Sequence, residues 1–290
     1  MNSISTTLLV VGAAATVMMA GPSPAKAAED DGKVGGFIVG CQAWTFKNFS
    51  VFEAIEKTAA AGGKAIEFYP GQKLSPAEPN VKFDHNASPE VIAKVKAKLA
   101  EHKIRPVNYG VVNISTNEVE ARKVFEFAKE FDLIAVTTES VNALDTIEPL
   151  VKEYAIKVGI HEHPRRPNDP NYMVWDPNYV LSVIRDRDPR IGAAADTGHW
   201  ATSDIKPIDA LKILEGRIVS LHLKDRTAIG RQTPDVVYGT GILDIGGILD
   251  ELKRQSFTGN ISIEYEANWD NSVPDVAQCV GFIRGHGAKH

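Results

Sequence analysis

Residues 218–225 read Ile-Val-Ser-Leu-His-Leu-Lys-Asp. Side chains of a strand point alternately to its two faces. Val219, Leu221 and Leu223 therefore share one face, and Ser220, His222 and Lys224 share the other. Residues 260–266 (Asn-Ile-Ser-Ile-Glu-Tyr-Glu) sort the same way, with Ile261, Ile263 and Tyr265 opposing Ser262, Glu264 and Glu266. In residues 191–196, Ile191, Ala193 and Ala195 oppose Gly192, Ala194 and Asp196. Such strands present an apolar face to covering helices and a polar face to an enclosed interior.

Working outward, strands are expected at 37–41, 65–68, 105–109, 133–138, 157–161, 191–196, 218–223 and 260–264. Amphipathic helices separate them. Ser50 and Glu53 fit a capping box, Ser88-Pro89 opens a helix with Pro at its first position, and residues 144–154 form another helix. Asn117, Asp176, Lys206, Asp244 and Ser272 stand near further starts. Parallel strands need crossover helices, and eight strand–helix units close most simply into a single (β/α)8 TIM barrel over residues 37–290. No Gly-x-Gly-x-x-Gly turn follows the first strand, which argues against an open dinucleotide-binding sheet.

Function in such a barrel sits at the carboxyl ends of the strands. Strand four ends in Thr137-Thr138-Glu139, strand five in His161-Glu162-His163, and strand six in Asp196-Thr197-Gly198-His199. Strand seven carries His222-Leu223-Lys224-Asp225, and strand eight ends in Glu264-Tyr265-Glu266. Carboxylates gathered in one dry centre need a counter-ion. The parity predicts one divalent metal ion held by Glu139, Asp196, His222 and Glu264. Glu264 is preferred to Glu266 because it lies nearer the strand. Three carboxylates and one imidazole favour Mn2+, Mg2+ or Co2+, with Zn2+ as an alternative.

The amino terminus sets the compartment. Residues 8–20 (LLVVGAAATVMMA) are apolar, Gly21-Pro22-Ser23-Pro24 breaks the run, and Ala25-Lys26-Ala27 offers small residues at a cut site. The run is shorter than the ~20 residues of a spanning helix. It reads as a signal peptide over 1–27, although no Lys or Arg precedes it, and a polar linker over 28–36 follows. The expected location is periplasmic or secreted, free of the membrane after cleavage. A net charge of −5 with no basic run excludes nucleic acid as a natural partner. The two cysteines, Cys41 and Cys279, read as buried thiols rather than a disulfide framework.

Between Gly35 and Arg284 the sequence resembles the xylose-isomerase-like TIM barrels, the sugar phosphate isomerases/epimerases. The resemblance rests on Gly40-Cys-Gln42-Ala-Trp44-Thr, Ile66-Glu67-Phe-Tyr, His161-Glu-His163-Pro, Asp196-Thr-Gly-His199 and His222-Leu-Lys224-Asp225. Gly239-Thr-Gly241-Ile-Leu-Asp244 and Ile263-Glu264-Tyr-Glu266 complete it. It implies the same four metal ligands and substrate contacts from His161, His163, His199 and Lys224. The motifs at strands one, two and eight add Gln42, Trp44, Glu67 and Glu266. It also implies a homo-oligomer. Ketose 3-epimerases of the family carry an Arg soon after the strand-seven His in a different local sequence. Here Lys224-Asp225-Arg226 stands there, so free-ketose epimerisation does not follow. A trinuclear nuclease of the same superfamily would need ligands on strand three, where only Asn108 and Tyr109 are offered.

The expected activity is metal-dependent isomerisation or epimerisation of a small sugar through an enediolate, with Glu139 and Glu264 exchanging the proton. Export favours an unphosphorylated substrate, and Arg165, Arg166 and Arg226 read as solvated loop charges. Loss of a β-substituent after the same first step gives the alternative, a lyase, dehydratase or hydrolase of keto-sugars or 3-keto-glycosides. A non-catalytic sugar-binding protein is the second alternative. Trp44, Trp200 and Trp269 follow strands one, six and eight and are candidates to stack on a sugar. The long loops 164–177 and 227–240 suit a lid or a subunit contact.

Overall fold

The structure, a computed structural model, describes Met1 and residues 32–288. The expected signal peptide and the start of the linker lie outside the described residues. The rest of that linker packs on the barrel. Val34 is buried and pairs with Phe37.

Eight parallel strands close into a barrel: Ile38–Gln42, Ala65–Phe68, Arg105–Tyr109, Ala135–Thr138, Lys157–His161, Ile191–Asp196, Ile218–Leu223 and Asn260–Ile263. Each pairs with its neighbours in sequence order, and the eighth pairs with the first. Leu221 and Leu223 join the hydrophobic layer under the helices, while Ser220 and His222 are buried on the opposite face; Val219, expected with the two leucines, is buried at a register shift against strand six and stands outside that layer. Both faces are covered, as a parallel sheet requires.

The helix starts follow the expected chemistry in most cases. Ser50 and Glu53 form the full capping box, and Ser88, Asn117, Asp176 and Asp244 each accept backbone N–H groups. Lys206 and Ser272 make no side-chain cap. Two small sheets were not expected. Gln72–Ser75 and Glu78–Phe83 form an antiparallel hairpin after strand two. Its Phe83 packs within 5.0 Å of Phe68 and 5.3 Å of Phe127. Asp225–Arg226 pairs with Asp235–Val236 across the loop after strand seven. Cys41 and Cys279 are free and buried. Among the described residues, no helix is long and apolar enough to cross a membrane.

The barrel interior is tight between its first two strands. A methyl group on Gly40 would stand 1.7 Å from the Ala65 carbonyl oxygen. Backbone cannot yield as a flexible side chain would. Gly40→Ala is therefore expected to destabilise the protein by about 2 kcal/mol, the usual scale of overpacking. Calorimetry reads this as a lower Tm, and an unchanged Tm would mean the two strands lie further apart.

Candidate active site

The short helix Thr197–Thr202 begins directly at the end of strand six, and Asp196 caps it: Oδ1 accepts the His199 N–H at 2.8 Å. That commits one oxygen and leaves Oδ2 facing the barrel axis. Four cationic or imidazole groups approach Oδ2: His199 Nδ1 at 3.1 Å, Lys224 Nζ at 3.3 Å, His222 Nδ1 at 3.5 Å and His161 Nε2 at 3.8 Å. His222 Nδ1 is also 3.3 Å from Glu264 Oε2.

Each of two imidazoles has a carboxylate behind it. His222 Nε2 faces Glu67 Oε2 at 3.1 Å, and Glu67 is itself held by the Ser262 hydroxyl at 2.6 Å. His161 Nδ1 lies 3.3 Å from Glu139 Oε1, so its Nε2 points toward Asp196. Carboxylates placed so fix which ring nitrogen is free to bind a metal.

Asp196, His222 and Glu264 gather within the span of one ion, as the strand parity predicts. Glu139 does not join them. Parity gives the side of a strand and not the depth. Glu139 lies beyond the end of strand four, and the His161 ring stands between it and Asp196. His161 Nε2 stands at this depth, 3.8 Å from Asp196 Oδ2, as a candidate fourth donor. Donors bound at the ~2.1 Å of a tetrahedral metal site lie about 3.4 Å apart, and the spacings of 3.3, 3.5 and 3.8 Å are close to that. Asp196 Oδ2, His161 Nε2, His222 Nδ1 and Glu264 Oε2 are all buried without a well-formed hydrogen bond. The residues fit a divalent ion.

Burial pushes the Asp196 carboxyl up, but the charges of His199 and Lys224 outweigh it and hold it well below the usual carboxylate range. Burial acts likewise on Glu264, and Lys224 and His222 reverse it. Burial pushes Lys224 down, and its carboxylate neighbours hold it well above its ordinary value. Burial also raises Glu139, but the hydrogen bond and charge of His161 and the Tyr172 hydroxyl bring it to about 2. Burial and the nearby His199 and His161 lower His163 to about 4, so it is neutral at neutral pH.

Above this cluster lies a cavity of about 480 Å³. Glu139, His161, His163, His199, Glu264 and Glu266 line it on the barrel side, and Gln42 and Trp44 line it near strand one. Gln42 also ties strands one and three together, donating to the Gly110 carbonyl at 2.9 Å. Trp44 is 38% exposed and meets Tyr69 edge-on at 5.1 Å. Two expected substrate contacts are not on this surface. Glu67 is fully buried behind His222, and Lys224 is fully buried among Asp196, Glu264 and Glu266. Trp200 is core, and Trp269 holds Lys47 over its ring at 3.5 Å.

Loop residues account for what the sequence reading missed. Tyr172, in the loop before Pro177, donates to Glu139 Oε2 at 2.7 Å, and Arg166 stacks on the Tyr172 ring at 3.5 Å. The length of that loop was visible, but no pattern singled out its Tyr. Arg226 is not a solvated charge. It is 1% exposed and paired to Asp235 at 2.7 Å, and Asp235 in turn accepts the Glu266 N–H.

The Tyr172 hydroxyl stabilises the ionised form of Glu139. Tyr172→Phe should therefore raise the Glu139 pKa from about 2 by roughly one unit, the scale of one such hydrogen bond. A carboxyl held below its unfolded value stabilises the fold above that value and loses this as pH falls through the folded one. The variant should thus lose this part of its acid stability at higher pH than the native chain. Carboxyl-carbon NMR titration reads the shift, and an unmoved Glu139 would mean Tyr172 does not reach it.

The family described as xylose isomerase-like TIM barrel matches residues 135–284. The solved structure of an uncharacterized protein from Parabacteroides distasonis is 32% identical, covers 86% of this chain and 98% of its own, and superposes with a TM-score of 0.69. A D-tagatose 3-epimerase-like protein is 19% identical over 86% of this chain and 96% of its own, with a TM-score of 0.66. The D-allulose 3-epimerase from Methylomonas sp. is 16% identical over 86% and 98%, also at 0.66. At those two identities the likeness is one of fold. No curated protein matches the chain. A closed eight-stranded parallel barrel, the matched family and the 32% identical relative agree, and the chain belongs to the xylose isomerase-like TIM barrel family.

Proposed function

We propose that this protein is a divalent-metal-dependent isomerase or epimerase that moves a proton at a carbon beside a carbonyl of an unphosphorylated sugar or keto-sugar. The observation that carries this reading is the Asp196–His222–Glu264 triad from three consecutive strands, below a cavity of about 480 Å³. These three residues would hold the ion, with His161 as fourth donor. A bound divalent ion supplies Lewis-acid polarisation of sugar oxygens. Two imidazoles among four donors move the preference from Mg2+ toward Mn2+, Co2+ and Zn2+.

The chain's own groups do the proton work. Strands four and eight are opposite one another in a ring of eight, so Glu139 and Glu264 reach the cavity from opposite sides. Both are ionised at neutral pH. One, ionised, removes a proton from a face of the substrate; the other takes up a proton from solvent and delivers it to the opposite face, so that the two exchange protonation states over a turnover. Neutral His163 is left to accept or donate a hydrogen bond to a sugar hydroxyl. Among the described residues, no Lys or Arg lines the cavity, which supports an unphosphorylated substrate. The epimerase names of the relatives of similar fold agree with this chemistry.

The size of the cavity favours a second reading of the same site. At the ~30 Å³ that a water occupies in the liquid, it takes about sixteen waters, more than one sugar ring displaces. Trp44, Tyr69 and Pro70 line part of it and suit a second ring or an aglycone. Proton removal from a 3-keto-glycoside followed by loss of its substituent would use the same two carboxylates.

Free sugars, inososes and 3-keto-glycosides incubated in D2O with Mn2+, then chelated and read by NMR, separate the two. Deuterium entering at carbon without bond loss marks the isomerase, and release of water or aglycone marks the elimination. No exchange in any of them would overturn both. Glu139→Gln is expected to lower kcat at least ~100-fold. Full turnover in that variant would remove Glu139 from the mechanism.

Export is part of the proposal. It is supported by the apolar run 8–20, its Gly-Pro break and the small residues at 25–27. The mature protein is expected to begin near Ala28. Mass spectrometry of protein recovered from the native host reads this, and a retained residue 1–27 segment would place the protein elsewhere.

A further inference from the structure

A second triad of metal-type donors lies beside the first: His199, Glu264 and Glu266 also gather within the span of one ion. A side chain of this protein already touches all three. Lys224 Nζ is 2.5 Å from Glu266 Oε1, 2.7 Å from Glu264 Oε2 and 3.1 Å from His199 Nε2. We propose that the Lys224 ammonium occupies the place of a second cation, so that the native protein takes one divalent ion and loss of Lys224 opens a site for another.

This inference rests on the metal reading above. The two positions share oxygens. Glu264 Oε2 meets both Lys224 Nζ and His222 Nδ1, and Asp196 Oδ2 lies 3.3 Å from the first and 3.5 Å from the second. Carboxylates shared in this way are what hold paired ions about 3.5–4 Å apart in two-metal enzymes. The charges agree. Asp196, Glu264 and Glu266 carry three negative charges, which one ammonium and one divalent ion balance.

The ammonium is held in place by the Asp196-Thr197-Gly198-His199 motif. Thr197 Oγ1 accepts the backbone N–H of Lys224 at 2.8 Å and donates to its carbonyl at 2.9 Å, which fixes the root of the side chain. A methyl group on Gly198 would stand 2.6 Å from Lys224 Cδ, so only glycine leaves room for the stem. His199 Nδ1 faces Asp196 Oδ2 at 3.1 Å, and a proton there leaves the Nε2 lone pair for the ammonium. An ammonium donates hydrogen bonds but forms no coordinate bond.

Equilibrium dialysis of the native chain and Lys224→Ala against Mn2+, followed by elemental analysis, tests the proposal. Lys224→Ser replaces the Ala variant if circular dichroism shows that one unfolded. The native chain should bind one ion and the variant two. The variant's electron paramagnetic resonance should show the coupled spectrum of two neighbouring Mn2+ ions. Two ions in the native chain, or one in a folded variant, would overturn the proposal while leaving the first metal site intact. No ion in either would remove the metal reading and this inference together.

Discussion

Carboxylates that face one another away from water must be balanced by positive charge. At the top of this barrel Asp196, Glu264 and Glu266 converge around Lys224, and Glu67 and Glu139 each stand behind an imidazole. The site is therefore an arrangement of charges before it is a shape, and every neighbouring element can be understood by how it holds one of them. The helix after strand six takes one oxygen of Asp196 and turns the other inward. Ser262 fixes Glu67, and Glu67 faces His222. The ladder after strand seven buries Arg226 against Asp235, which holds the backbone N–H of Glu266.

The closed barrel makes this convergence achievable. Eight strands with one polar and one apolar face give a ring in which residues distant in sequence meet at one end. The helices outside are paired to the apolar face by ordinary burial. The close approach at Gly40 shows the cost of closure: the ring has no slack for a side chain there.

Alternation along a strand was enough to read the barrel and the meeting of Asp196, His222 and Glu264. The strands at 191–196, 218–223 and 260–263 carry Asp196 and His222 on the inward face, with Glu264 one residue past the last. Alternation failed at Glu139 because it fixes a side and not a depth. A strand-end imidazole such as His161 looks the same in sequence whether it binds a metal or a sugar. Lys224 shares the inward face with His222 and lies fully buried, as does Glu67, which the motif at strand two singles out. Tyr172 and the hairpin Gln72–Ser75/Glu78–Phe83 belong to segments without periodicity, where tertiary packing decides the outcome.

Glu139 carries two demands that pull against each other. As the partner of His161 it must stay ionised, and the Tyr172 hydroxyl helps to hold it at about 2. As a base it would be stronger with a higher pKa. Its two hydrogen-bond partners are His161 and Tyr172, and Tyr172 belongs to the loop before Pro177. A substrate hydroxyl that drew Tyr172 away would weaken one of those hydrogen bonds and raise the basicity of Glu139 only while the cavity is filled. Tyr172 thus links the loop before Pro177 to the carboxylate that orients His161 toward Asp196.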